Sequence, residues 1–259
     1  MRIQLIRNAT LKIKYAGKTI LLDPMLCEKE TMPPFMKGLR KNPTVDLTIL
    51  VDEIIKDVDA VMVTHSHPDH FDTVSSEVLD KNIPIFATPI DKEFFVKQNF
   101  NNVTIVEREA IWSDIKITRI EGQHGSGTIL PYMGFVSGYV LQHKEEPTIY
   151  IISDTILIDS VVNTIHQFKP DIIVTNSGNG IFPGHEKFPV IMDEKQTIEV
   201  AKLATKSTII AVHLESIDFN RATRKSLRKY ADENGITKEQ LLIPLDGEEI
   251  KLIEYKLNQ

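Results

Sequence analysis

The chain has 259 residues, 42% hydrophobic and 25% charged, with a formal net charge of −6. That is the composition of a globular protein with a substantial core, and its acidic balance argues against a nucleic-acid binder, which needs clustered Lys and Arg. The single cysteine, Cys27, excludes an intrachain disulfide framework and a cysteine-rich zinc site, so a cytoplasmic protein is expected. No stretch approaches the roughly 18 apolar residues of a membrane span, and no signal-peptide core follows Met1.

From the N-terminus, "MRIQLIRNATLKIKYAGKTILLDP" alternates apolar and polar residues and breaks at "RNA" and "AGK", which predicts three short strands joined by tight turns. Residues 25 to 46 then have no clean period and contain Pro33, Pro34 and Pro43, which predicts an insertion-like loop. Its Met25, Met32, Phe35 and Met36 are candidates to pack over the opening strands, to cover a pocket, or to make a homo-oligomeric contact.

Strands and helices alternate from there. "DAVMVTH" reads as a strand, "DTVSSEVLD" as a helix, "IPIFAT" as a strand, "DKEFFVKQN" as a helix and "VTIV" as a strand. The second half repeats this grammar: strands in "DIKITRIEG", "GFVSGYVLQH" and "TIYIISDT", a helix near 157 to 168, and a strand in "DIIVTNSG". A helix after Asp193, a strand in "STIIAVHLE", a helix near 221 to 234 and a closing hairpin around "DGEE" complete it. Both halves open with antiparallel-type strands and pass into α/β alternation, and no linker separates them. An α/β (α+β) fold follows, with two sheet-plus-helix layers facing each other in one domain over 1–259.

The chemistry concentrates in "THSHPDHFD", residues 64 to 72. An apolar strand ends at His65, and Pro68 stops a helix from running through the segment. His65 and His67, two apart in extended backbone, share a side, whereas Asp69 and His70 follow the bend. Imidazoles and carboxylates suit zinc and other borderline divalent ions, so one loop can serve two sites. Three further candidates end apolar runs: His124, Asp154 and His213. Each alone reads as a strand-end histidine or a helix cap; together with the loop they supply three or four ligands to each of two ions.

At this point the chain resembles the metallo-β-lactamase superfamily, whose signature is a His-x-His-x-Asp-His run followed by His, Asp and His ligands. More narrowly, "IRNATLKIKYAGKTILLDPML", "AVHLES" and "IPLDGEE" are similar to the lactonase-like branch that includes L-ascorbate-6-phosphate lactonase. The resemblance implies a four-layer αββα sandwich. It also implies that His65, His67 and His124 hold one metal, that Asp69, His70 and His213 hold the second, and that Asp154 bridges both. A dinuclear hydrolase using a metal-bound hydroxide is implied, with Asp69 also orienting that nucleophile and taking its proton. Zinc is the default ion for such sites, with manganese and iron as alternatives.

Asp23 resembles the family's acidic residue beneath the metal loop, where a carboxylate orients a ligating imidazole, although a turn-forming Asp before Pro is an equal reading. Gly122, Gly125 and Gly127 around His124 read first as turn residues. Asn176, His185 and Tyr132 lie where an α/β layer presents ligand-contacting side chains; they are candidates to bind substrate, with His185 also a proton donor. The expected partner is a small, anionic metabolite such as a sugar-phosphate lactone. A phosphodiesterase and a non-catalytic metal-binding protein are the alternatives; intact Asp69 and Asp154 count against the latter. A two-iron redox enzyme is disfavoured by His67, where a carboxylate would be expected.

Overall fold

The computed structural model describes residues 1–250 and residue 252. The first strands, β1 (Arg2–Arg7), β2 (Thr10–Tyr15) and β3 (Lys18–Leu22), form an antiparallel meander. Alternation sorts their side chains between two faces. Ile3, Leu5, Leu11, Ile13, Ile20 and Leu22 join one core, whereas Ile6 and Leu21 face the opposite layer. The chain continues through α1 (Val51–Ile55), β4 (Ala60–Met62), α2 (Thr73–Val78), β5 (Ile85–Ala87), α3 (Lys92–Lys97) and β6 (Val103–Ile105), with β3 to β6 parallel.

The second half follows the same plan. β7 (Glu109–Trp112), β8 (Ile115–Glu121), α4 (Leu130–Met133), β9 (Ser137–His143) and β10 (Glu146–Ile151) begin it, with antiparallel pairing. α5 (Asp159–Phe168), β11 (Ile172–Asn176), α6 (Glu194–Leu203), β12 (Thr208–Val212), α7 (Arg224–Glu233) and β13 (Leu241–Leu242) follow, with β10 to β13 parallel. β14 (Glu249–Ile250) returns to pair with β1.

Two seven-stranded mixed sheets result, ordered β14-β1-β2-β3-β4-β5-β6 and β13-β12-β11-β10-β9-β8-β7. Their inner faces share a core that includes Leu5, Ile13, Met62, Ile117, Ile149, Val174 and Ile210. Helices α1 to α3 and the turns beside them cover one outer face through Ile54, Phe71, Phe95 and Phe100, and α5 to α7 cover the other through Val161, Ile165, Ile198 and Leu227. This is the four-layer αββα sandwich expected. Among the described residues, no helix is long and apolar enough to cross a membrane.

Four local features depart from expectation. The hairpin around "DGEE" is not formed among the described residues: Gly247, at φ 87°, turns the chain so that its N–H reaches Leu5 O at 2.8 Å. β13 therefore ends one sheet and β14 ends the other; the rest of the expected second arm lies outside the described residues. α1, α4 and β7 were not expected, since elements of four or five residues are too short to show a period.

The 25 to 46 segment is irregular, as expected, yet firmly tied. Arg7, fully buried, donates from Nη2 to Met25 O and Cys27 O at 3.0 and 2.8 Å, and from Nη1 to Val45 O at 3.3 Å, gripping both ends. Asp72 ties the loop to α2: one carboxylate oxygen caps the helix at Ser75 N (2.7 Å) and the other accepts from Cys27 N (2.6 Å). Removing this carboxylate deletes a cap and leaves a buried N–H unpaired. Asp72→Ala should therefore lower unfolding free energy by roughly 2 to 3 kcal/mol in chemical denaturation, with Asp72→Asn, which keeps one acceptor, recovering about half.

Candidate metal centre

β1, β3, β4, β8, β10, β11 and β12 run in one direction, and the segments leaving their C-terminal ends meet at one rim of the sandwich. Asn8, Asp23, His65 to His70, His124, Asp154, Asn176 and His213 all lie on these segments. Several exits bend sharply: Asn8, Asp23, Ser153 and His213 have φ between 43° and 66°. Left-handed backbone is costly for non-glycine residues, and its concentration here is strain held at the rim by the surrounding structure.

The rim gathers two donor groups, His65, His67 and His124 in one and Asp69, His70, Asp154 and His213 in the other, with the donor atoms of each within 4.8 Å of one another. Asp154 stands between the groups. Its Oδ2 lies 3.3 Å from His70 Nε2, 3.4 Å from His124 Nε2 and 3.9 Å from His65 Nε2, and its Oδ1 lies 3.7 Å from His213 Nε2. His213 Nε2 also lies 3.2 Å from Asp69 Oδ2.

Neighbouring groups set which ring nitrogen faces inward. His124 Nδ1 donates to Val190 O at 2.8 Å, leaving Nε2 as the acceptor. Asp23 Oδ2 is 2.9 Å from His70 Nδ1, which likewise turns Nε2 to the centre. Asp23 also accepts from Thr64 N and Oγ1 at 2.8 and 2.7 Å, and Thr64 Oγ1, receiving Ser153 Oγ at 2.7 Å, sits 3.1 Å from His65 Nδ1. His65 Nε2 and His67 Nδ1 are 3.0 Å apart, close to the roughly 3.3 Å separating two nitrogens on one tetrahedral ion.

The electrostatics ask for a cation. Burial, with His70 and His67 alongside, drives His65 well below its ordinary value; burial likewise lowers His67, to about 4, and His124. Those imidazoles are neutral donors at neutral pH. Burial opposes a charge on His70, but Asp154, Asp23 and Asp69 outweigh it and raise that imidazole well above the ordinary range. Burial also disfavours ionised Asp154 and Asp69, yet His70 and His213 hold both carboxyls below the usual carboxylate range. Burial pushes Asp23 up against the pull of His70 and Thr64. Among the described residues, no lysine or arginine pairs with these carboxylates, and His70 Nε2 is a buried nitrogen with no hydrogen-bond partner. Neutral nitrogens, ionised oxygens and an imidazole that coordinates once it gives up its proton fit divalent cations, so His/Asp residues here are positioned to bind metal.

A cavity of about 370 Å³ opens directly over the donors, with His67, Asp69, His124 and Asp154 at its floor. Its walls are Phe35, Met36, Ile129, Met133, Phe182 and Phe219, with Tyr132 and His185 at the side, and among the described residues no lysine or arginine lines it. Phe35 and Met36 thus place the 25 to 46 loop over a pocket, one of the roles expected for it, while Met25 is buried in the cluster beneath.

The remaining candidates divide. Tyr132 is 74% exposed on the wall; His185, half-buried, has Nδ1 2.8 Å from Thr128 Oγ1 and its ring against Tyr132. Asn176 is corrected: its side chain is buried and donates to Asp154 Oδ1 at 2.5 Å, beneath the donors and away from the pocket wall. Of the glycines near His124, Gly125 and Gly127 have φ of 89° and 57°, as turn residues do, whereas a Cβ at Gly122 would collide with Thr155 Oγ1, which accepts from Gln123 N. Sequence reasoning missed Thr64, Ser153 and Asn8, whose Nδ2 donates to Asp69 O at 3.1 Å while its carbonyl accepts from His213 N at 2.9 Å. Asn8 lies in the "RNA" break, a visible turn signal; Thr64 and Ser153 carry none.

Comparisons agree with this geometry. The model of the beta-lactamase superfamily domain matches residues 18–214. UPF0173 protein YddR of Bacillus subtilis (strain 168) is 38% identical over 253 residues, spanning 96% of this chain and 98% of its own length. A possible metal-dependent hydrolase from Veillonella parvula DSM 2008 is similar in structure, with a TM-score of 0.93 at 32% identity over 97% of this chain and 99% of that one. An isothiocyanate hydrolase from Delia radicum gut bacteria gives a TM-score of 0.91 at 35% identity, with the same coverage of each chain.

Metal binding should be coupled to pH with a definite sign. His70 holds a proton in the metal-free centre and must release it to coordinate, so affinity for zinc falls as pH falls. Competition titration of chelator-stripped protein should show weaker binding at pH 5.5 than at pH 7.5. Asp23→Asn should weaken binding by about 10- to 100-fold, because the imidazole loses the carboxylate that orients it. Affinity indifferent to pH and to Asp23 would contradict this arrangement.

Proposed function

The chain belongs to the beta-lactamase superfamily and, within it, to the UPF0173 metal-dependent hydrolases, and we propose that it is a dinuclear hydrolase of small, uncharged, apolar electrophiles of the isothiocyanate class. The observation that carries this reading is the wall of the cavity: Phe35, Met36, Ile129, Met133, Phe182 and Phe219 close over the donors, with no lysine or arginine there among the described residues. The phosphate of a sugar-phosphate lactone is remote from the reacting carbonyl and calls for a cationic side chain, and the described residues of the wall supply none. The isothiocyanate hydrolase among its relatives gives the class of electrophile; the apolar wall suits its R group.

In this reading the whole chain, 1–259, is one hydrolase domain, with His65, His67 and His124 holding one cation, Asp69, His70 and His213 the other, and Asp154 bridging. Zinc is the proposed ion, with manganese and iron as alternatives. Bound cations supply Lewis-acid activation of water and of the electrophilic carbon. The chain's own groups do the rest. Asp69, ionised at the pocket floor and aligned by His213, takes a proton from the attacking water. Water oxygen bonds to the central carbon of R–N=C=S and Asp69 passes the first water proton to the nitrogen; the carbon–nitrogen bond then breaks as the remaining hydroxyl proton leaves to replenish His185, giving R–NH2 and carbonyl sulfide. His185, fixed through Nδ1 by Thr128 and facing the same cavity, delivers a proton to the departing nitrogen. Tyr132 flanks that nitrogen, and Asn176 keeps the Asp154 carboxylate turned to the donors.

Purified metal-loaded protein should convert allyl or benzyl isothiocyanate to the amine and carbonyl sulfide, with phosphodiesters and phosphorylated lactones inert. Asp69→Asn and His185→Gln should each lower kcat by about 100-fold or more, His185→Gln with its metal content unchanged. Turnover of diesters with inert isothiocyanates would overturn the substrate class.

A further inference from the structure

A second cavity, of about 620 Å³, adjoins the first and shares Phe35 and Pro68 with it as a common wall. It lies between residues 31 to 35, the edge of the metal-binding loop at Ser66, the first turn of α2 and the Phe94 to Gln98 face of α3. Its own apolar surface comes from Met32, Pro33, Pro34, Phe71, Val74 and Phe94. The polar groups there are largely occupied: both Asp72 oxygens receive backbone N–H groups and Ser76 Oγ donates to Gln98 Oε1 at 2.8 Å. Burial pushes the Cys27 thiol up to about 12, so it stays protonated and a poor nucleophile toward an electrophile housed beside it. Among the described residues, no lysine or arginine lines the chamber. Its chemistry therefore suits an uncharged, apolar chain.

Phe35 and Pro68 form the partition between the chambers. Phe35, half-buried, meets Phe219 edge-on with centroids 5.5 Å apart, and Phe219 in turn packs on Phe182 at 4.7 Å. The segment carrying Phe35 is pinned at its base, where Met32 and Asn42 exchange backbone hydrogen bonds of 2.8 and 2.9 Å and Thr44 N reaches Ser216 O at 2.9 Å. Between those pins, among the described residues, the backbone bond is the turn from Leu39 N to Met36 O at 3.2 Å. The segment is closed at its base, and the half-buried Phe35 side chain at its tip stands between the two chambers beside Pro68.

Resting on the isothiocyanate reading above, we infer that the second chamber is the subsite for the apolar tail of the substrate and that Phe35 determines the chain length accepted. The smaller cavity then holds the reacting group and a short substituent, and longer unbranched tails pass the Phe35 ring into the larger one.

The test compares ethyl and octyl isothiocyanate on the metal-loaded protein, with calorimetric titration of the unreactive N-ethylacetamide and N-octylacetamide in parallel. Thr73→Trp fills the second chamber from the exposed first position of α2. It should lower the octyl-to-ethyl ratio of kcat/KM, and the affinity for the octyl amide, by about tenfold, the loss expected when roughly two methylenes stay in water. Phe35→Ala opens the partition and should raise that ratio by about the same factor. Octyl and ethyl compounds responding equally to both variants would overturn the tail subsite. If neither isothiocyanate reacts, the substrate reading fails on its own, and the amide titrations still decide: equal binding of the two amides by the unaltered protein overturns the inference.

Discussion

A buried negative charge organises this protein. Asp154 lies 1% exposed in the seam between two sheets, with imidazole nitrogens of His65, His70, His124 and His213 within 3.9 Å of its oxygens. Burying a carboxylate is tolerable only where positive charge or hydrogen bonds replace water. Asn176 supplies one hydrogen bond, and the convergence of ring nitrogens with the carboxylates offers the donor set of a cation. Asp69 repeats the arrangement beside His213, and Asp23 sits one layer deeper, holding His70 from behind. Metal-dependent hydrolysis is the chemistry that this distribution of charge serves.

The sandwich exists, in functional terms, to deliver those groups to one rim. Each half turns from antiparallel to parallel pairing at a central strand, so strands of like direction from both sheets end on the same side. Side chains that leave the strand ends then meet across the interface. Left-handed turns at Asp23, Ser153 and His213 complete the aim, and hydroxyls of Thr64 and Ser153 lock the imidazole orientation from below. The irregular 25 to 46 segment, gripped by buried Arg7, brings aromatic and methionine side chains over the donors and converts an exposed charge cluster into an apolar pocket.

Much of this is legible in the residues themselves. The His65 to His70 run is dense enough to stand apart from chance, and His124, Asp154 and His213 each end an apolar run, which is how a strand presents a polar tip. The loop's Phe35 and Met36 are apolar without a period and so have no helix or strand to bury them. What escapes reading acts through common atoms at long range. Val190 contributes only a carbonyl, Thr64 and Ser153 only hydroxyls, and their partners are chosen by the fold. Asn176 shows the limit: its strand-end position is evident, but whether such a side chain faces substrate or supports a carboxylate depends on the neighbouring strand. The two-residue strand β14 likewise owes its existence to β1, at the far end of the chain.

The central claim is that these residues form a pair of cation sites joined by Asp154. Elemental analysis of the native protein, purified without chelator and normalised to chain concentration, tests it most directly. The account requires two divalent ions per chain, with both sites depleted in Asp154→Ala while His124→Ala loses one. A single ion per chain that survives the loss of Asp154, or no bound metal in the folded protein, would contradict it.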